Sequence, residues 1–317
     1  MIDITLKNFE DELIRGSMQQ PVLLDIWAPW CGPCRTLGPM LEKLEVAYAG
    51  RFKLAKLNSD EVPEIAGQLS QMFGVRSIPF CVLFDQGQPV DGFVGALPEA
   101  QIRAFLDKHV PSPDELEAQA DLDEAEALIE EGQADAALAK LEEALQADPA
   151  NDAARFDLIK LLLEGGEVEA ARQTFEPVAQ RYGLDGRLAA AGRWIEACER
   201  LPSARSEAEL QAAIAANRRD FDARFELAQR HFALGEPTRA MDELLEIIMR
   251  DKSWSDELAR KTYVAILELI TKPAPKPTAA EAGGAKKGGL EIAGKAVVAS
   301  ADPLVDQYRR KLSMALF

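Results

Sequence analysis

The chain has 317 residues, 47% hydrophobic and 28% charged, with a formal net charge of −17, a balance that suits a globular protein of two or more domains. No apolar run approaches the roughly 18 residues of a membrane span, and the first eight residues show neither the basic nor the apolar region of a secretory signal. A cytoplasmic protein with no membrane partner is therefore expected. The charge is uneven, −4 over residues 1–110, −17 over 111–270 and +4 over 271–317, and so acidic a middle argues against nucleic acid as a partner.

Residues 1–110 alternate strand and helix signals. Pro21–Trp27 and Phe52–Leu57 read as buried or half-buried strands, and between them Cys34–Tyr48 carries Leu37, Leu41 and Leu44 at helical spacing. Pro79–Phe84, a turn at 85–88 and Pro89–Val94 read as a hairpin, and Glu99–Val110 as a closing helix. This order predicts a mixed α/β sheet covered on both faces.

Cys31, Cys34, Cys81 and Cys198 are too few to staple so long a chain and fit a reducing compartment. The close pair Cys31 and Cys34 points to metal or redox chemistry. Structural zinc would want a second pair, and His109 and His231 are isolated, so no metal and no cofactor are expected and both histidines read as structural. Cys31 falls where strand gives way to helix, where the macrodipole stabilises a thiolate. Two intervening residues place Cys34 one helical turn away, within reach of a mixed disulfide on Cys31. Cys31 is thus the expected exposed nucleophile and Cys34 the more buried resolving thiol. Pro33 in the first turn costs the helix no needed donor. Asp25 interrupts an apolar run, and burial would raise its pKa towards that of a proton acceptor; a satisfied core ion pair is the alternative.

The stretch WAPWCGPC at 27–34 closely resembles the thioredoxin active site. The resemblance covers residues 1–110 and implies a thioredoxin fold with Asp25 assisting proton transfer and Lys56 as its partner. It also implies a cis-proline at Ile78-Pro79 and a substrate surface of Trp30, Gly32, Pro33, Ile78, Pro79 and Gly95. Phe80-Cys81 departs from the family, where a small hydroxyl residue is more usual. Cys81 reads as an inert strand residue, with a regulatory thiol the alternative, and Cys198 as core.

From Pro111 strand signals vanish. Gly132, Gly166 and Gly235, 34 and 69 residues apart, each precede an alanine by five residues (Ala137, Ala171, Ala240). Leu141, Phe175 and Leu244 follow, then Ala144, Val178 and Ile247, and Arg155 to Leu158 recurs as Arg224 to Leu227. The 34-residue period resembles the tetratricopeptide repeat, weakly in its usual aromatics and with a drifted unit near 187–215. The expected fold is therefore an α/β thioredoxin unit (1–110) and an all-α tetratricopeptide-like array (111–270). A Pro/Ala/Gly/Lys-rich flexible linker (271–302) and an amphipathic helix (303–317) complete the chain.

The whole arrangement apart from the linker at 272–300, with Gly87 to Phe93 in the hairpin and Tyr308 to Leu312 near the end, resembles the chaperedoxin family (CnoX/YbbN). That resemblance implies a redox-active holdase. It would protect or reduce client cysteines and pass unfolding or oxidised proteins to foldases, a GroEL-type chaperonin and DnaK, with thioredoxin reductase a candidate for recycling. In the terminal helix Val305, Tyr308, Leu312 and Leu316 share one face, with Arg309 and Arg310 between them. The resemblance makes this the chaperonin-binding element; packing onto the chain's own repeats is the alternative. At the level of function, a plain disulfide reductase whose repeats dock one partner stays open.

Overall fold

The computed structural model describes residues 1–180, 186–271 and 302–316. The chain divides at Pro113/Asp114 into two compact units. Residues 272–301, nearly all of the expected linker, and Phe317 lie outside the described residues.

The first unit is built on five strands: β1 (Ile2–Asp3), β2 (Val22–Trp27), β3 (Lys53–Asn58), β4 (Phe80–Asp85) and β5 (Gln88–Val94). They lie in the order β1-β3-β2-β4-β5; β1 and β2 run parallel to β3, and β4 is antiparallel to β2 and β5. The helices are α1 (Cys34–Ala47), α2 (Pro63–Phe73) and α3 (Glu99–Asp107). The central strand β2 alternates between two cores, which is why it reads as one continuous apolar run. Val22, Leu24 and Ile26 pack with Leu13 and with Ile65 and Leu69 of α2. Leu23 packs with Leu37, Leu41 and Leu44 of α1 and with Ile102 and Leu106 of α3. Asp25 shares the α1/α3 side with Leu23 by strand periodicity.

Three elements escape the sequence patterns: β1, a helical segment at Phe9–Arg15 and α2. Two residues of strand carry no periodicity. In α2 the apolar stripe is short, although Pro63 in its first turn and left-handed Gly74 at its end are start and stop signals. Gly92 of β5 is required by close approach, since a Cβ there would lie 2.7 Å from the Cys81 carbonyl oxygen.

The second unit is all helix: α4 (Pro113–Glu130), α5 (Ala134–Ala147), α6 (Asp152–Glu164), α7 (Val168–Phe175), α8 (Gly186–Arg200), α9 (Glu207–Ala216), α10 (Phe221–Ala233), α11 (Pro237–Arg250), α12 (Trp254–Ile270) and α13 (Pro303–Leu316). The repeat positions do the same work in each copy. Gly132, Gly166 and Gly235 adopt left-handed φ in the α4–α5, α6–α7 and α10–α11 turns. Ala137, Ala171 and Ala240 are buried, as are Leu141, Phe175 and Leu244 and then Ala144, Val178 and Ile247. The drifted unit keeps its helix pair, α8 and α9, joined by a turn at Leu201–Ser203 instead of a glycine. Arg155 and Arg224 are both buried, the first donating to the Thr174 and Pro149 carbonyls and the second to Glu243.

Candidate active site

The segment from Trp27 to Cys34 leaves the C-terminal end of β2 and enters α1. Cys31 and Cys34 are joined in a disulfide with Cα atoms 5.4 Å apart, and the Cys34 backbone N–H points at the Cys31 sulfur from 3.3 Å. On reduction that first-turn N–H is placed to stabilise a Cys31 thiolate. The sequence expectation of an exposed Cys31 over a buried Cys34 needs correction for this oxidised state. The two are 3% and 5% exposed, because the bond ties both sulfurs down among Ala28, Trp27 and Ile78.

The surface around them is assembled from three places in the chain. Trp30 is 69% exposed beside Cys31, and its indole Nε1 donates to Asp60 at 3.0 Å. Gly32 and Pro33 are exposed. The Ile78–Pro79 peptide is cis; half-buried Ile78 packs on the disulfide, and the Pro79 carbonyl accepts from the Gly95 N–H at 2.8 Å.

Asp25 is 1% exposed and lies in a cross-strand row running Lys56 (β3), Asp25 (β2), Cys81 (β4), Phe93 (β5). Burial pushes its pKa up to about 6; the Lys56 charge and the Cys81 hydrogen bond pull down against that, and Glu42 adds to the rise. Lys56 is thus beside Asp25 in register, but the ion pair its ammonium makes is to Glu42 of α1. Cys81 is fully buried, as expected, yet it does more than pack: its Sγ lies 3.8 Å from Asp25 Oδ1, and burial raises the thiol's own pKa. Among the described residues no group of three or more His, Cys, Asp or Glu side chains is placed to hold a metal.

Residues 1–108 match the family model described as thioredoxin, and residues 128–195 and 202–280 match two models of the tetratricopeptide repeat. Thioredoxin 1 of Synechococcus elongatus is 42% identical over 107 residues, 34% of this chain and 94% of that protein. The chain belongs to the thioredoxin family. The thioredoxin of Chlorobaculum thiosulfatiphilum is 45% identical over 108 residues, with the same coverage of 34% and 94%. The chloroplastic M-type thioredoxin of Pisum sativum is 44% identical over 100 residues, 32% of this chain and 55% of that one. Likeness to these thioredoxins thus concerns the first third of the chain.

Around this thioredoxin dithiol, sequence reasoning missed Asp60, Glu42 and the contact between Cys81 and Asp25. Glu42 carried one legible signal, standing eight residues after Cys34 on the helix that covers Asp25. The terminal residues singled out as partner-binding are elsewhere, in the second unit. Val305 and Tyr308 of α13 are buried against α11 and α12, with Leu312 and Leu316 packed beside them. The Tyr263 hydroxyl donates to the Tyr308 carbonyl at 2.8 Å, and Lys311 pairs with Asp242 at 3.0 Å. Arg309 donates to Thr271 Oγ1, and Arg310 is exposed. The apolar face of α13 is therefore occupied by the chain's own helices, and Leu304, Arg310 and Met314 remain outside. No described helix is long and apolar enough to cross a membrane.

Proposed function

We propose that this chain is a redox-active molecular chaperone of the chaperedoxin (CnoX/YbbN) type, acting in the cytoplasm. The observation that carries the reading is the union, in one chain, of a complete dithiol site with an acidic tetratricopeptide array. The Cys34 N–H aimed at the Cys31 sulfur supports the redox half. A Cys31 thiolate attacks a client disulfide, forming a mixed disulfide and releasing one client thiolate. Asp25 takes the Cys34 proton, Cys34 attacks the Cys31 sulfur, and the second client thiolate leaves as the Cys31–Cys34 disulfide forms. Two electrons pass to the client, and thioredoxin reductase is the candidate that returns them. Trp30, Gly32, Pro33, Ile78, Pro79 and Gly95 seat the client segment.

The holding half belongs to the repeats, whose stacked helices offer surface for protein segments. Leu116, Leu234, Met249 and Val264 are exposed there, and the −17 of residues 111–270 keeps a client-bearing complex soluble by self-repulsion. Clients then pass to a GroEL-type chaperonin and DnaK. Light scattering of a heat-unfolding client tests this with Cys31→Ser/Cys34→Ser protein, which should still suppress aggregation. Aggregation as fast as without additive would leave the other reading, a disulfide reductase whose repeats dock one partner.

A further inference from the structure

Among the described residues Asp25 makes no ion pair, although a lysine stands next to it in register. Lys56 and Asp25 face the same side of the sheet from adjacent parallel strands, and such a pair would ordinarily close into a salt bridge. Instead the Lys56 ammonium turns along α1. It lies where a Cβ on Gly38 would come within 3.4 Å of Nζ, and it ends on Glu42 Oε1 at 2.5 Å. Gly38 and Glu42 are one helical turn apart, so the ammonium passes the first and ends on the second. Lys56 is 15% exposed and Glu42 44%, which makes Glu42 the outer, water-facing end of the row.

We propose that Glu42 is a positioning residue for the dithiol chemistry: by holding the Lys56 ammonium against α1, it keeps Lys56 from closing an ion pair with Asp25 and so leaves Asp25 free to accept the Cys34 proton. This rests on the dithiol-exchange reading above and deepens it. An ammonium free to settle on Asp25 would lock it as a carboxylate, too weak a base to take a thiol proton. Held by Glu42, the ammonium still pulls the Asp25 pKa down, Glu42 offsets part of that pull, and burial remains the largest influence. Among the described residues few titratable groups act on Asp25. Lys56 comes from β3, the Cys81 thiol from β4 and Glu42 from α1, whose first residue, Cys34, is oxidised. The row continues on β5 with apolar Phe93, and α3 adds Ile102 and Leu106 to the same core.

The test follows the Asp25 carboxyl carbon by NMR as pH is varied, in oxidised full-length protein with labelled aspartate, the signal assigned by its loss in Asp25→Asn. Glu42→Gln should lower the Asp25 midpoint by about one pH unit, and Lys56→Met should raise it by about as much. In the Lys56→Met background, Glu42→Gln should move the midpoint by less than half as much, because its effect passes through the lysine. An unmoved midpoint in Glu42→Gln, or the same shift in both backgrounds, would overturn the proposal. Resolution of a mixed disulfide on Cys31 should show the same displacement in its pH profile. Shifted titration without dithiol turnover would count against the exchange reading alone.

Discussion

A carboxyl group on the sheet face lined by Leu23, Leu41 and Leu83 has lost most of its water and regained little in exchange. With the Asp25 pKa at about 6 against an ordinary 3.8, the linkage has a definite sign. Below about pH 4 folded and unfolded chains both hold the proton, and the site costs nothing. As pH rises towards 6 the unfolded chain releases it first, so stability falls across that window and stays lower above it. Asp25→Asn should therefore stabilise the first unit by on the order of 3 kcal/mol at pH 7, and by almost nothing at pH 3. Urea unfolding at the two pH values checks this; an equal gain at both would place the effect in packing instead of ionisation.

Among the elements, α13 shows most clearly how a short helix is held. Fourteen residues are marginal alone in water, and this helix is fixed by burying one face. Val305 and Tyr308 enter the core shared by α11 and α12, while the Tyr308 hydroxyl and Lys311 converge on Asp242. Truncating a buried aromatic ring removes its transfer energy and leaves a cavity. Tyr308→Ala should cost about 3 kcal/mol in the unfolding of the second unit, read by thermal or urea denaturation. Insulin reduction at the dithiol should be unchanged. A loss within a few tenths of a kcal/mol would mean that the helix spends much of its time undocked.

At the scale of the whole molecule, the proposed hand-over to a chaperonin must use surface that the chain does not already occupy. Arg310 and Met314, one turn apart on the outward side of α13, are exposed and take no part in its packing against α11 and α12. Arg310→Glu/Met314→Glu should thus abolish co-purification with a GroEL-type chaperonin while leaving the melting temperature in place. Retained binding in that variant, together with loss on deleting residues 303–317, would mean that the helix leaves its seat and binds through the Val305–Tyr308 face.

Much of this protein was legible in the chain because its signals are local. The WAPWCGPC motif specifies a strand end, a helix start and two sulfurs one turn apart. The 34-residue recurrence of glycine and alanine marks the left-handed turns and tight helix approaches, since only small residues meet those steric demands. The α1 leucines and the β4–β5 hairpin declared themselves by period. What the tertiary structure decided is relational. That β2 sits between β3 and β4 places Lys56 and Cys81 on either side of Asp25, from 31 and 56 residues away. That α1 crosses above them sends the Lys56 ammonium to Glu42. That α11 and α12 present an apolar surface gives α13 its seat. Each outcome depends on which surfaces meet across the core, where the gain comes from burying apolar area and pairing charges between distant segments. A periodic pattern records only that a face is apolar, and the packed fold determines what covers it.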